Sequence, residues 1–336
     1  MTHQTPQTIG LNAGYGHTKL YTNRTAIIIP SIIGYPEQLR YQGDLIKNGA
    51  GLASQNNIRL KTPDGIRFIG QLALTQSRVK WSPKNRSRVE SDTMKLLMLA
   101  ALSEANINGQ VNLVTGLPVK WYTDKNKLIQ NLRGTHSLQR IGHKKQTILI
   151  NDVAVLPEPF GAIYSQVLNS KGNLKNKKFL DIISAVVDIG MYTTDFILCD
   201  RMHYVESNSS SIETGMKTVY DLVAQAVEDR FGLSLDTAAA ETAIRSGQIR
   251  VQGQPRKIAP LVAPILEAVA QEILSGMSDL WGDGKNIDIL LVTGGGASPM
   301  GPYFSTAFPQ LHIVDDSQIA NAQGYYYYGL LKWRAS

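Results

Sequence analysis

Two stretches of this sequence share one pattern: Leu11-Asn12-Ala13-Gly14-Tyr15-Gly16-His17-Thr18-Lys19 and Val187-Asp188-Ile189-Gly190-Met191-Tyr192-Thr193-Thr194-Asp195. In each, a β-forming run ends in Asn or Asp, a glycine follows two residues later and a threonine six residues later. A strand-turn-strand with glycine near its tip lets backbone N–H groups approach an anion, and a hydroxyl follows on the return strand. We therefore expect two hairpins, related by internal duplication, that grip a polyphosphate from both sides. Asp188 would face a hydrated Mg²⁺, which prefers carboxylate oxygens and retained waters.

The rest of the chain alternates between strand and helix patterns, which is typical of the α/β class. Apolar runs bounded by turn residues predict strands at residues 26–29, 65–70, 111–114, 146–150, 183–188 and 287–292. Helical spacing predicts helices that begin near residues 91, 124, 159, 214, 235, 258 and 318. Thr115-Gly116-Leu117-Pro118 is expected to be a turn. The run Tyr325-Tyr326-Tyr327-Tyr328 is expected to place some rings in the core and one or two on the surface.

A third glycine-rich element, Thr293-Gly294-Gly295-Gly296-Ala297, directly follows a predicted buried strand. It fits neither the P-loop pattern, which needs Lys-Ser/Thr after the glycines, nor GxGxxG. Three glycines would let a flat ring or a ribose lie directly on the backbone. A triple glycine alone is equally a plain linker, and its place after a strand favours the binding interpretation.

Length and composition exclude several classes of protein. The 336 residues suffice for about two domains of ~150 residues each, and 43% hydrophobic with 18% charged residues indicates a globular chain. The single cysteine, Cys199, excludes a disulfide scaffold and a Cys-rich zinc site, and we expect it in the core. No run approaches the ~18 consecutive apolar residues of a membrane helix, and the polar N-terminus does not resemble a signal peptide. These features favour a cytoplasmic protein without a membrane partner.

The net charge of +7 is modest for this length and permits, without requiring, a polyanionic partner. Two basic clusters, residues 78–88 and Lys171 to Lys178, are most simply solvated surface loops. For the first cluster, the alternative interpretation is that it contacts nucleic acid or a neighbouring subunit.

The order of these motifs resembles the nucleotide-site motifs of the actin-like ATPase superfamily. The segments that carry the resemblance are Asn12–Lys19, Pro30-Ser31, Gly116-Leu117-Pro118, Pro157–Gly161, Asp188–Asp195, Gly294–Ala297 and Ala320-Asn321-Ala322-Gln323-Gly324. Within the superfamily the chain is most similar to the ParM/StbA-type plasmid segregation proteins and the archaeal actin-like proteins. The resemblance implies an α/β, actin-like (ribonuclease H-like) duplicated two-domain fold with a nucleotide cleft between the domains.

The implied domain I covers residues 1–165, with a small subdomain at about 34–90, and is completed by the helix at 318–336. The implied domain II covers residues 180–317, with a helical subdomain at about 210–258. The cofactors implied are ATP or ADP and Mg²⁺.

The resemblance assigns nucleotide-binding and catalytic roles residue by residue. The first phosphate loop would comprise Asn12, Gly14, Tyr15, Gly16, His17 and Lys19, and the second Gly190, Met191, Tyr192, Thr193 and Thr194. Glu213, Thr214 and Gly215 would contact ribose and base, and Gly294, Gly295, Gly296 and Ala297 would form the adenosine-side loop. Asp188 would hold the metal, with Asn12 acting through a water, and Glu158 would orient the attacking water.

Two of these roles have a structural alternative, and one position departs from the family. Glu158 could have a purely structural role, in which its negative charge stabilises the N-terminus of the following helix through the helix dipole. Lys19 could be a surface residue on a strand. The superfamily usually has Asp where this chain has Asn12. Asparagine keeps an oxygen but loses the charge, so metal affinity or hydrolysis rate would fall before nucleotide binding does. Asp188 would then carry more of the metal binding.

The function implied is a filament-forming ATPase of plasmid segregation or of a prokaryotic cytoskeleton, with self-association and a DNA-binding adaptor as partners. A non-polymerising nucleotide-binding scaffold is an alternative that Asn12 favours. A small-molecule kinase is a weaker alternative, since no carboxylate is clearly placed for an acceptor hydroxyl.

Overall fold

The computed structural model describes residues 5–37, 57–82 and 91–334, which form two compact units. The first unit runs to Asn176 and resumes at Ile319, and the second is Lys177–Gln318. The predicted small subdomain at 34–90 and the basic cluster at 78–88 lie partly outside the described residues.

The first unit is built on one large sheet with helices against it. Its strands are β1 (Gln7–Ala13), β2 (His17–Tyr21), β3 (Ala26–Pro30), β4 (Ile33–Gly34), β5 (Ile58–Thr62), β6 (Gly65–Ile69), β7 (Lys80–Trp81), β8 (Gly109–Leu117), β9 (Gly134–Arg140) and β10 (Gln146–Pro157). Its helices are α1 (Gln71–Gln76), α2 (Asp92–Glu104), α3 (Lys125–Leu132), α4 (Phe160–Val167) and the final helix α9 (Ala320–Lys332). Among the described residues the strand order is β3-β2-β1-β8-β10-β9-β5-β6-β4-β7.

The second unit has a smaller sheet and longer helices. Its strands are β11 (Ile183–Ile189), β12 (Thr194–Asp200), β13 (His203–Tyr204), β14 (Ser210–Ile212), β17 (Ile289–Thr293) and β18 (Leu311–Ile313), with a separate hairpin of β15 (Gln248–Val251) and β16 (Gln254–Lys257). Its helices are α5 (Met216–Phe231), α6 (Thr237–Ser246), α7 (Ala259–Trp281) and α8 (Ala297–Phe304). The main sheet has the order β13-β12-β11-β17-β18, and β14 also pairs with β12.

The two units repeat one topology, which confirms the duplicated fold. In each, three antiparallel strands (β1, β2, β3, and β11, β12, β14) are followed by two strands parallel to the first (β8 and β10, and β17 and β18). Even the register is shared, because Asn12 lies opposite Lys19 and Asp188 lies opposite Asp195. The 176-residue offset of the sequence motif is therefore also an offset between structurally equivalent strands.

The structure corrects three details of the sequence interpretation. Residues 115–117 continue β8 as strand, because each pairs with the end of β10, which extends past the predicted end at Ile150 to Pro157. The strand β9 was missed, since its polar residues alternate with only one buried leucine, Leu138. No ring of the tyrosine run is fully exposed: Tyr325 to Tyr327 are buried, and Tyr328 packs on Tyr164 at 4.7 Å between ring centroids.

The single cysteine lies in the core of the second unit, as expected. Cys199 is fully buried on β12, and burial raises the pKa of its thiol to about 12. A thiol with this pKa is protonated at neutral pH and is a poor nucleophile.

Helix α7 is long and apolar enough to span a membrane by length and composition alone. A core helix passes the same test, and one face of α7 does pack into the second unit through Val262, Leu266, Val269 and Ile273. The observation is weak evidence for a membrane span.

The final helix closes on the first unit by direct backbone contact. A Cβ on Gly324 would overlap the carbonyl oxygen of Gly161 on α4, and one on Gly10 of β1 would overlap the carbonyl oxygen of Ala322. Such approaches are open only to glycine. They explain why glycines recur at these positions of two helices and a strand.

Replacing Gly324 with Ala should therefore lower the stability of the protein by about 1–3 kcal/mol, because α4 and α9 must move apart. In an uncrowded helix the same change stabilises by about 1 kcal/mol, so the sign of the effect is diagnostic. Urea denaturation followed by circular dichroism measures it. Lys332→Ala, on an exposed position of the same helix, is the control and should change little. A Gly324→Ala protein as stable as the wild type would contradict the close contact.

Candidate functional site

The turn of the first hairpin is held from behind by the segment that follows β3. The Ser31 hydroxyl donates to the carbonyl of Gly14 at 2.7 Å, and the Ser31 N–H donates to the carbonyl of Gly16 at 2.9 Å. All peptide bonds of the described chain are trans, so each N–H points opposite to the carbonyl of the same peptide group. The N–H groups of Tyr15 and His17 are therefore directed away from Ser31.

The turn of the second hairpin is held in the same way by a helix. The first N–H groups of α5, those of Met216 and Lys217, donate to the carbonyls of Gly190 and Met191 at 3.0 and 2.8 Å. By the same geometry the N–H groups of Met191 and Tyr192 point away from α5. Successive N–H groups on one side of a turn form a concavity that binds anions.

The glycines of the two turns occupy equivalent and equally tight positions. A Cβ on Gly14 would lie 3.0 Å from the carbonyl oxygen of His17, and a Cβ on Gly190 would lie 3.0 Å from that of Thr193. Each position is closer to backbone than a side chain is normally placed, so both turns favour glycine for the same reason.

The threonines on the return strands brace the hairpins, a role the sequence pattern did not indicate. Thr194 donates its hydroxyl proton to the carbonyl of Thr214 at 2.7 Å. Ser31 uses its own proton on Gly14, so Thr18 is the donor in the 2.9 Å contact between the Thr18 and Ser31 hydroxyls. Both threonines are fully buried. Their hydroxyl protons are thus committed to the fold and are not donors to an anion.

Three residues of the candidate site lie at the carboxyl ends of three parallel strands in the first unit. Asn12 lies near the end of β1, Gly116 near the end of β8, and Glu158 directly after β10. Asn12 is 3% exposed, and its side-chain oxygen has no hydrogen-bond partner among the described residues. Carboxyl ends of parallel strands are where open α/β sheets place their ligands.

Glu158 is fixed through its backbone from two sides. Its N–H donates to the carbonyl of Leu117 at 2.8 Å, and its carbonyl accepts from the hydroxyl of Tyr325 at 2.9 Å. Gly116 leaves room for this arrangement, because a Cβ there would overlap the Tyr325 hydroxyl. Glu158 lies just before α4. This position is compatible with both predicted roles, orienting a water and stabilising the helix N-terminus through the dipole.

In the second unit, Asp188 lies at the end of β11 beside the glycine-rich loop. It is 6% exposed and pairs in register with Thr293 at the end of the parallel strand β17. Gly294, with φ of +88°, lies so close that a Cβ would overlap a carboxylate oxygen of Asp188. The N–H of Gly296 donates to the carbonyl of Ile189 at 3.0 Å. The loop is therefore built onto the hairpin that carries Asp188.

The second carboxylate of this hairpin, Asp195, directly faces Asp188 across the strand pair. Residues opposite each other on antiparallel strands share one face, with Cβ atoms about 4.5–5.5 Å apart. Asp195 is 2% exposed and accepts hydrogen bonds from Ser211 and, at 3.5 Å, from Thr193. In the first hairpin the same pair of positions is Asn12 and Lys19, so the two hairpins differ in charge.

Most residues predicted for the second half of the site are brought together within the second unit. The Gly190–Thr193 turn contacts the start of α5 at Gly215, where a Cβ would lie 2.8 Å from the carbonyl oxygens of Gly190 and Met191. Met216 at the start of α5 also lies beside Gly296 of the glycine-rich loop. Thr214 donates to Glu272 on α7, a residue that sequence reasoning missed because nothing in its own helix marks it.

The remaining predicted residues are partly enclosed. Tyr15 is 9% exposed and meets Trp121 edge to face at 5.9 Å between ring centroids. His17, Lys19 and Tyr192 are half-buried, and Ala297 is buried. Glu213 is exposed, and Gly295 is exposed with no atom near the position of a Cβ. No group of three or more His, Cys, Asp or Glu side chains with metal-binding geometry occurs among the described residues.

Two family models match consecutive parts of the chain. Residues 10–161 match the N-terminal domain of actin-like proteins, and residues 186–306 match the C-terminal domain of the archaeal MreB-like actin homologue. The sequence has no significant match among curated proteins.

Solved structures of similar fold cover nearly the whole chain. The archaeal actin homologue Ta0583 is 23% identical with a TM-score of 0.79, over 95% of this chain and 98% of that protein. Its complex with ADP is similar at 20% identity and a TM-score of 0.77, over 95% and 98% of the two chains. The ParM filament of Clostridium botulinum matches at 21% identity and a TM-score of 0.79, over 97% and 99%. At these identities the likeness shows the fold.

The glycine-rich loop gives a matched pair of substitutions. Gly294→Ala should destabilise the protein by about 1–3 kcal/mol, because of its positive φ and the overlap with Asp188, whereas Gly295→Ala should change stability little. Urea denaturation of the two variants compares them directly. Equal losses would mean that Gly294 is not in contact with the Asp188 carboxylate.

Proposed function

Since this chain belongs to the actin-like protein superfamily and has its two-domain fold, we propose that it is a filament-forming ATPase that hydrolyses ATP to ADP and phosphate. The observation that carries the proposal is the pair of equivalent hairpins, each with turn N–H groups directed away from the segment that braces it and with a buried Asn or Asp at the strand end. The cellular role would be plasmid or DNA segregation, or a prokaryotic cytoskeleton. Two similar structures support nucleotide binding and self-association, since one is a complex with ADP and the other is a filament.

The phosphates would be bound mainly by backbone donors. The N–H groups of Tyr15 and His17 in one hairpin, and of Met191 and Tyr192 in the other, would bind the phosphate oxygens. Lys19 adds a cation on the face of the first hairpin, opposite Asn12. That both hairpins bind one and the same polyphosphate is part of the proposal.

Each hairpin offers an oxygen that suits a magnesium ion that keeps most of its waters, and one ion shared by the two hairpins is part of the proposal. The buried oxygen of Asn12 has no partner among the described residues, which suits a water ligand, and Asp188 supplies a carboxylate. The paired carboxylates of Asp188 and Asp195 would repel a polyphosphate without an intervening cation. When bound, Mg²⁺ would offset charge on the phosphate oxygens.

Hydrolysis would rest on positioning and electrostatics, with an in-line water attacking the γ-phosphate. Glu158 would orient that water, held in place by the backbone bonds to Leu117 and Tyr325. The turn N–H groups would stabilise the charge that develops on the phosphoryl oxygens, because they are fixed before the reaction begins.

The adenosine would lie on the glycine-rich loop of the second unit. Gly295 is exposed with open space where a Cβ would be, so a flat ring or a ribose can approach the backbone there. Glu213, Thr214 and Gly215, between β14 and α5, would supply contacts to ribose and base beside it.

The second candidate function is a nucleotide-binding scaffold that does not polymerise. Asn12 favours it, because a neutral amide replaces the carboxylate usual in the superfamily and weakens the metal site. For either function we propose a cytoplasmic location, with a DNA-binding adaptor as the further partner of the filament. Direct contact with nucleic acid through residues 78–88 stays an open alternative.

Sedimentation of the wild-type protein with and without Mg-ATP tests the proposal. We expect ATP binding and nucleotide-dependent pelleting, because assembly and nucleotide state are coupled in a filament-forming ATPase. ATP binding without pelleting would favour the scaffold, and ATP consumption only with an added acceptor would favour a kinase. A chain that binds no nucleotide would contradict both candidate functions.

Replacing Asp188 with Ala or Asn should lower Mg-dependent phosphate release by about a hundredfold or more, since the charge that holds the ion is lost. The Asn variant keeps the shape of the side chain and separates charge from packing. Unchanged hydrolysis in a folded Asp188→Asn protein would remove the metal assignment.

The reciprocal change, Asn12→Asp, should raise or preserve the rate of phosphate release and lower the Mg²⁺ concentration needed for half-maximal rate. It restores the carboxylate at the equivalent position of the first hairpin. A large loss of activity at saturating Mg²⁺ would show that Asn12 is not part of the site.

A further inference from the structure

The two compact units carry net charges of opposite sign. Residues 1–176 with 319–336 hold 24 Lys and Arg against nine Asp and Glu, a formal charge of +15. Residues 177–318 hold ten against 18, a formal charge of −8. The chain total of +7 conceals this separation. Charges separated on this scale steer association between molecules and fix which surfaces meet.

The first unit presents a basic and apolar surface on the outer side of β9, β5 and β6. We call it the basic sheet face, and define it by Arg59, Lys61, Ile66, Ile141, Lys144 and Lys145. Lys61 pairs in register with Ile66, and the N–H of Ile141 donates to the carbonyl of Arg59 at 2.9 Å. Ile66 and Ile141 are 38% and 41% exposed, whereas Ile58 and Leu60 on the inner side of β5 are buried. Lys144 and Lys145 follow Ile141 in an exposed turn.

The second unit presents an acidic surface on α7. The 23 residues of this helix include no Lys or Arg. Its exposed positions include Ala263, Glu267, Ala268, Gln271 and Asp279, and we call them the acidic helix face. The larger apolar side chains of α7 are buried or pack against the core of the unit, so the alanines are the apolar part of this exposed face.

We propose that the basic sheet face of one copy binds the acidic helix face of another copy of this chain. The inference rests on the proposed self-association and names the surfaces and the charges that would drive it. Because the two faces are different, the contact is heterologous, and a heterologous contact that does not close into a ring generates an open filament. Contacts between two like faces are disfavoured by charge repulsion.

A protein partner fits the basic sheet face better than a nucleic acid does. Ile66 and Ile141 lie among the lysines, and their burial gains free energy only against another apolar surface, which the alanines of the acidic helix face provide. A phosphate backbone offers charge alone. For α7, an anionic lipid surface is disfavoured, because Glu267 and Asp279 would face negative headgroups.

Reciprocal charge reversal gives a sharp test. Variant A carries Lys61→Glu and Lys144→Glu, and variant B carries Glu267→Lys and Asp279→Lys. In either variant alone the two faces have the same sign, so the concentration needed for Mg-ATP-dependent pelleting should rise at least about tenfold. In an equimolar mixture every A–B contact again joins opposite signs, so pelleting should return to near the wild-type level. A chain with all four changes should also assemble.

Controls separate this pattern from unfolding and from net charge. Lys171→Glu with Lys175→Glu makes the same change in net charge at exposed positions of another loop, and should pellet like the wild type. Thermal unfolding and ATP binding of every variant should match the wild type. Wild-type pelleting should weaken from about 20 to about 500 mM KCl, since screening shortens the range of charge interactions.

The other outcomes each decide the matter. Variants A and B that pellet like the wild type would overturn the pairing and leave the ATPase proposal intact. A wild-type chain that binds ATP but never pellets would overturn the pairing and the filament together. Pelleting at low salt that shows the A–B pattern without ATP binding would support the pairing and overturn the proposed function. Loss of binding to a labelled DNA duplex in variant A, with no rescue of pelleting in the mixture, would make the basic sheet face a nucleic-acid site.

Discussion

The fixed orientation of the peptide groups in the two hairpin turns is the constraint on which the candidate site depends. Ser31 holds the carbonyls of Gly14 and Gly16, and the first residues of α5 hold those of Gly190 and Met191. An anion site made of backbone donors binds well only if those donors are already oriented, since reorienting them on binding would cost free energy. The buried threonines complete the brace, because each ties its return strand to the same supporting segment. Both units thus fix the carbonyls of the turn, the first with a serine and the second with the first N–H groups of a helix.

Glycine serves a second purpose, which is close packing of main chain against main chain. Gly161 with Gly324 brings α9 onto α4, and Gly294 brings the glycine-rich loop onto Asp188. In the first unit this contact places Tyr325 where its hydroxyl reaches the Glu158 carbonyl. The final helix is thus tied to the residue that would orient the water, although the two are far apart in sequence. Packing and site geometry are set by the same contacts.

The sequence predicted the duplicated hairpins, the order of strands and helices and most helix starts, because these follow from local patterns that both copies carry. It did not predict the roles of Thr18, Ser31 and Thr194, since a hydroxyl near a phosphate-binding turn has the same pattern whether it faces the ligand or the fold. Strand β9 was missed because its inward positions include Arg140, which is buried beside Glu104 and breaks the apolar alternation. Glu272 was missed because its contact with Thr214 joins segments 58 residues apart.

The two copies of the hairpin differ in charge, which would suit them to different tasks. Position for position, the first presents a neutral amide and a cation, Asn12 and Lys19, whereas the second presents two carboxylates, Asp188 and Asp195. A polyphosphate is attracted by the first and repelled by the second unless a divalent cation lies between. The first hairpin would therefore bind phosphate directly, and the second would bind it through the metal. On this account the neutral Asn12 leaves the binding of the metal mainly to the second hairpin, through Asp188.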